Sequence, residues 1–324
     1  MRNRILLYLA IISTFIFFES AVQSVPTRNA AFSNPFVQQQ TRAPTIRSST
    51  NLVLVPISVR DASGRPVTNL RIEDFKVLEN GQAATLQHLG KPELTKLEIV
   101  LVFDITSSTW YYFDIVKESA IGFVKSIFRP GDAVSIIGIS SPPEILLERT
   151  ESLSRVLDGL NQLRRGAATA FFDAVVAATR LFPAQTDPET RHVIVVLSDG
   201  EDNFSIWRLE DALERIHRTD AVFYSINPGA SPDRLNRVSR RGQQWMETLA
   251  NQTGGEAFLA ESFEDLDSIY ARIAEELQVQ YLLSYYSPDS ETDDGFRSIA
   301  VTLPEHPELK VRARSGYYPD NVSR

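Results

Sequence analysis

Between residues 97 and 277, short apolar runs alternate with segments of helical period, and this alternation restricts the fold more than any other feature. The runs 97–103, 133–139, 192–197, 221–226 and 256–259 mostly lack polar alternation, as strands buried on both faces do. Between them, Phe113, Val116, Ala120, Phe123, Val124 and Ile127 fall on one helical stripe. Leu153, Val156, Leu157 and Leu160 make a second stripe, and Leu209, Ala212, Leu213 and Ile216 a third. Leu266, Ile269, Tyr270, Ile273 and Leu277 make a fourth, with Ser262 and Asp265 placed to cap it. Strands and helices in such alternation predict an α/β fold, a doubly wound and mainly parallel sheet covered on both faces.

The flanks read differently. Residues 52–59 are rich in β-branched side chains, and Glu79-Asn80-Gly81 is a hairpin turn leading into 83–89. After Leu277 the runs 281–286, 296–303 and 309–313 are again strands, separated by Pro, Asp and Gly. Neither flank is long enough to bury a core alone, so the two are expected to join in one small β domain interrupted by the α/β insert. The boundaries expected are 51–96 and 278–318 for that domain and 97–277 for the insert.

Residues 25–50, rich in Gln, Thr, Ser, Asn and Pro, read as a disordered linker. Ahead of them, Arg2 and Arg4 precede an apolar stretch over 5–18, the pattern of an export signal over residues 1–24. The stretch is short against the ~20 residues of a stable membrane span. The expected location is outside the cytoplasm: secreted, periplasmic or at the cell surface, with an uncleaved N-terminal anchor as the alternative and no other membrane span.

Composition narrows the chemistry. No cysteine is present, which excludes disulfides, iron–sulfur clusters, thiolate zinc sites and cysteine nucleophiles together. A net charge of -8 argues against nucleic acid as the partner. Arg234, Arg237, Arg240 and Arg241 form a local basic cluster, read as a solvated loop paired with nearby acids. The four histidines are scattered, and neither G-x-S-x-G nor G-x-x-x-x-G-K-[ST] occurs.

Three strand ends are unusually polar. The first continues as Asp104-Ile105-Thr106-Ser107-Ser108, the second is Gly166-Ala167-Ala168-Thr169-Ala170 at the start of a helix, and the third is Ser198-Asp199-Gly200. In a doubly wound sheet, ligands gather at the C-terminal ends of strands near the switch in strand order. Two carboxylates and three hydroxyls, with no nitrogen or sulfur donor, suit Mg²⁺ or Mn²⁺ and not zinc.

Asp104-x-Thr106-x-Ser108, Thr169 and Asp199, in that order, resemble the metal-ion-dependent adhesion site of von Willebrand factor type A domains, whose motif is D-x-S-x-S, T and D. The resemblance spans roughly residues 97–277 and implies that family's Rossmann-like fold. The flanks, ending in Arg312-Ala313-Arg314-Ser315-Gly316-Tyr317, further resemble the secreted VWFA-related proteins of Acidobacteria. The family likeness implies that Thr106, Ser108 and Thr169 hold the ion directly, with Asp104 and Asp199 supplying charge and holding waters. It also implies a protein partner whose Asp or Glu completes the coordination, in an adhesion or scaffold module that is not an enzyme. Thr106 stands where Ser is usual; its hydroxyl survives and its methyl stiffens the rotamer.

Two other functions are compatible with the same residues. One is a metal-dependent hydrolase of phosphate or ester substrates, with Asp104 or a metal-bound water attacking, although no base stands near these loops. The other is a structural envelope component with an inactive metal site. Asp173 reads as helix-start charge, Asp132 as a turn residue, and Glu201 and Asp202 as solvated acids. Trp110, Tyr111 and Tyr112 fit binding anchors and core residues equally. Glu98, inside an apolar strand, has no explanation in the sequence.

Overall fold

The computed structural model describes residues 52–90, 95–106, 113–164, 168–183, 190–228, 236–288 and 295–319. The export signal, the linker, Ser108, Arg234 and the 110–112 aromatics lie outside the described residues.

The central sheet holds β5 (Leu97–Asp104), β6 (Ala133–Ile139), β7 (Glu144–Thr150), β8 (Arg191–Leu197), β9 (Val222–Asn227) and β10 (Ala257–Leu259). Its order is β10-β9-β8-β5-β6-β7, parallel except for the edge strand β7. Every residue of β5 and β6 is buried, which explains their lack of alternation. The helices α1 (Phe113–Ile127), α2 (Leu153–Asn161) and α6 (Asp265–Val279) cover one face. The other face carries α3 (Phe171–Thr179), α4 (Leu209–Arg218) and α5 (Arg237–Thr253). This is the doubly wound α/β architecture expected. The chain enters at β5, steps to β6, and crosses back to β8 on the other side of β5, so the switch point lies at the C-terminal ends of β5 and its neighbours.

Two elements escaped the sequence pattern. In β7, charged residues bracket the apolar Ile145-Leu146-Leu147, and only Thr150 is buried. Its Arg149 grips Glu98 through Nε and Nη2, at 3.0 and 2.7 Å to Oε1, which accounts for the acid inside β5. Small Ala133 stands opposite Glu98 on the strand between them. The other is α5, where the arginine cluster was expected to be a loop. Its buried face includes Gly242, Gln243 and Thr253 beside Met246, Leu249 and Ala250, so polar residues mask the apolar period. Asn236 caps it, its Oδ1 accepting from the amides of Val238 and Ser239.

The flanking segments build two four-stranded antiparallel sheets. One has the order β13-β1-β11-β4, from β1 (Leu52–Arg60), β4 (Thr85–Gly90), β11 (Tyr281–Tyr286) and β13 (Lys310–Ala313). The other has the order β14-β12-β2-β3, from β2 (Lys76–Glu79), β3 (Gln82–Ala83), β12 (Arg297–Thr302) and β14 (Gly316–Tyr317). Val53, Val55, Ile57, Val77, Leu283, Tyr285 and Ile299 fill the core between them. Asn80 and Gly81 have φ of 47° and 80°, as a two-residue turn joining β2 to β3 requires. The expected hairpin is shorter than the sequence suggested: after Ala84 the chain leaves β2 and pairs β4 with β11 in the other sheet. Buried Glu79 ties the two sheets, accepting from Tyr285 on β11 and from Tyr317 on β14.

Candidate functional site

The three polar strand ends are joined by hydrogen bonds. Asp104 closes β5 and is 4% exposed. Its Oδ1 accepts from the Thr106 amide at 3.0 Å and the Thr106 hydroxyl at 2.6 Å. Its Oδ2 accepts from the Ser198 hydroxyl at 2.8 Å, and Ser198 Oγ in turn accepts from the Gly200 amide at 3.0 Å. Ser198 thereby fastens the end of β8 to the end of β5. It is a site residue that the motif did not mark, although its place directly after an apolar strand and before Asp199 was a usable signal.

The second loop is tied to the third. The Thr169 carbonyl accepts from the amides of Asn203 and Phe204 at 3.0 and 3.1 Å. The N-cap of α3 is Ala170, which has no side-chain oxygen to offer, so Asp202 caps the helix from the third loop through Phe171 N at 2.8 Å. Asp173 Oδ1 accepts from the amides of Ile206 and Trp207 at 2.9 and 3.0 Å. Asp173 stands in the first turn of α3, as read from the sequence, and anchors this loop besides. Two acids differ from their sequence reading: Asp202 is a helix cap, and Glu201 accepts from Ser239 on α5. Asp132 keeps its turn role, accepting from Arg129 N and also from Leu97 N.

Of the five expected ligands, Asp104, Thr106 and Thr169 are buried and Asp199 is half-buried, all on these linked loops; Ser108 lies outside the described residues. The Thr169 hydroxyl makes no hydrogen bond among the described residues. Gly200, at φ +74°, lets the chain turn sharply after Asp199 and presses against α5. A Cβ on Gly242 would stand 2.6 Å from the Asp199 carbonyl oxygen and the Gly200 carbonyl carbon. Gly242→Ala is expected to push α5 off the loop and cost about 1–3 kcal/mol of stability, read as a lower urea midpoint.

Electrostatics single out the carboxylates. Burial, then the charge of Asp104 and also that of Glu201, push the Asp199 carboxyl up to about 6 from an ordinary 3.8. Burial raises Asp104 as well, against the hydrogen bonds from Thr106 and Ser198 that lower it. Asp199 has no ion pair among the described residues. A buried carboxylate whose charge is raised in cost by a neighbouring acid is what a divalent cation neutralises. Thr106 and Ser198 donate their hydrogens to Asp104, which turns hydroxyl lone pairs away from the carboxylate. Among the described residues no three His, Cys, Asp or Glu side chains form a metal cage. The described site residues, Asp104, Asp199, Thr106 and Thr169, offer hard oxygen donors alone, the chemistry that suits Mg²⁺.

The doubly wound, mainly parallel α/β sheet agrees with what comparison with known proteins finds. Residues 99–201 match the family model described as von Willebrand factor type A domain. The match supports a protein bearing such a domain, a protein-interaction or metal-dependent module and generally a non-enzymatic one. No curated protein matches the sequence significantly.

Solved structures similar to parts of the chain include proximal thread matrix protein 1 from the mussel byssus, at 14% identity and TM-score 0.45, covering 57% of this chain and 48% of that one. The PilB minor pilin from Streptococcus sanguinis is similar at 15% identity and TM-score 0.45, over 57% and 61%. A von Willebrand factor type A protein from Catenulispora acidiphila is similar at 13% identity and TM-score 0.46, over 72% and 51%. The chain spans less than two thirds of each of these structures.

Proposed function

We propose that this is an exported binding module that captures an acidic residue of a protein partner through Mg²⁺ at the switch point of its α/β domain. The observation that carries the reading is the linkage of Asp104, Thr106, Thr169 and Asp199 through Ser198 and the Thr169 carbonyl, at one rim of the sheet. Thr106, Ser108 and Thr169 would hold the ion through their hydroxyls, and Asp104 and Asp199 through charge and bound waters. The ion would supply a coordination position for a partner carboxylate. The protein's own contribution is rigidity: Ser198 fixes Asp104, Asp202 fixes the start of α3, and the Gly200–Gly242 contact fixes Asp199.

Export is supported by the basic start and the apolar stretch over 5–18. No helix among the described residues is long and apolar enough to cross a membrane.

Calorimetric titration of the protein with Mg²⁺ and Mn²⁺ tests the site. Heat of binding is expected, and it should vanish in Asp104→Ala and Thr169→Val. An unaltered protein that gives no heat with either ion would remove the metal from this reading. Capture of envelope proteins should in parallel be lost in chelator and in Asp104→Ala; capture indifferent to both would defeat the carboxylate mechanism.

A further inference from the structure

Beside the proposed metal site, the third loop presents two large apolar side chains to solvent on a tightly held backbone. Phe204 is 60% exposed and Ile206 88%. Their backbone is not loose. Asn203 and Phe204 donate to the Thr169 carbonyl, the Ser205 hydroxyl to Asp202, and the amides of Ile206 and Trp207 to Asp173. Exposed apolar side chains cost hydration, and a backbone already fixed has little freedom left to lose when they are covered.

The first turns of α5 adjoin this loop through the Ser239–Glu201 hydrogen bond, and they bring exposed Val238 with Arg237, Arg240 and Arg241. The Arg241 guanidinium lies 4.5 Å above the Trp245 ring, which holds it in place with its charge exposed. In a chain of net charge -8, an acidic partner is repelled overall, and a gathering of arginines beside the site helps to draw it in.

We propose that the loop around Phe204 and Ile206, with the arginines that open α5, forms a second contact for the partner and selects an acidic segment with a large apolar side chain beside its metal-binding carboxylate. This inference rests on the metal reading above and adds the chemistry of the flanking residues.

Three fluorescein-labelled peptides test it by anisotropy in Mg²⁺ and in chelator: a central Glu flanked by Leu and Phe, the same Glu flanked by Ser, and the Leu/Phe peptide with Gln for Glu. The apolar-flanked Glu peptide is expected to bind about tenfold tighter than its Ser-flanked counterpart, as burial of one apolar side chain gives. The double variant Phe204→Ser with Ile206→Ser should lose that preference while keeping its melting temperature and its Mg²⁺ heat. Magnesium heat without any flank preference, or a preference that survives in the double variant, overturns the inference and leaves the metal reading intact. Absence of magnesium heat, with Gln and Glu peptides bound alike, removes the metal reading instead; the Leu/Phe preference in chelator then decides the apolar contact alone. Sedimentation with phosphatidylglycerol vesicles is the last arm. Vesicle binding that needs Phe204 and Ile206, in a protein without peptide preference, assigns the loop to a lipid surface and rejects the proposal.

Discussion

Asp199→Asn is expected to make the metal-free protein more stable at pH 7 while abolishing its response to magnesium. The carboxyl of Asp199 is raised from 3.8 to about 6, so the folded protein holds this proton more tightly than the unfolded chain does. The sign follows from linkage. Stability from this group is greatest below 3.8, falls as pH rises toward about 6, and above that the full cost is present. The size is up to about 3 kcal/mol. Asparagine carries no charge to bury, and its amide oxygen can still accept the Glu201 N–H that Asp199 Oδ1 accepts at 3.0 Å.

Urea unfolding of both proteins in chelator between pH 4 and 8 checks this. The difference between them should be small at pH 4 and widen in favour of the variant by pH 7. Saturating Mg²⁺ should then stabilise the parent protein and leave the variant unmoved, because a ligand stabilises only the state that binds it. Parallel curves across that range would show that Asp199 carries no burden of buried charge.

The second large effect belongs to Glu276, far from the site in function. Glu276 on α6 is 2% exposed; its Oε1 accepts from Tyr224 on β9 at 2.7 Å, and its Oε2 from Arg60 on β1 at 3.0 Å and from Arg312 on β13. Burial would push this carboxyl up, but the charge of Arg312 and the hydrogen bonds from Tyr224, Arg60 and Ser58 outweigh it and hold it below its ordinary value. One carboxylate thus fastens both flanking strands to the α/β layer. Arg314 adds a second fastening, donating to Asp220 and to the Leu54 carbonyl.

Glu276→Ala leaves two guanidiniums facing each other without this counter-charge and should cost about 3–5 kcal/mol of stability. Glu276→Gln, which keeps the acceptor oxygen for Tyr224, should lose less. Equilibrium unfolding in urea at pH 7 measures both. A loss for alanine below about 1 kcal/mol would mean that Arg312 finds enough in Glu256, its other carboxylate.

What could be read in advance followed from periodicity. The buried stripe of α1 consists of the six apolar residues read from the sequence plus Ser119, and all five stripe residues of α6 are buried. Apolar side chains recurring at 3.6 residues, or running unbroken through a short segment, are a local property that burial then enforces. Where polar groups are buried, the local pattern is lost. The face that α5 packs inward mixes Gly242 and Gln243 with Met246, and edge strand β7 carries charges because one of its sides meets water. Glu98 looked anomalous only because Arg149, fifty-one residues away, was invisible beside it.

The candidate site divides in the same way. The types and order of Asp104, Thr106, Ser108, Thr169 and Asp199 are written in the chain, because hard oxygens at strand ends are a compositional signal. Only the tertiary structure decided that Ser198 links two of the loops, that Asp202 caps a helix it does not belong to, and that Gly200 and Gly242 touch. These are pairings between residues remote in sequence. Their energies depend on distance and burial, which a linear pattern does not contain until the sheet has set its strand order.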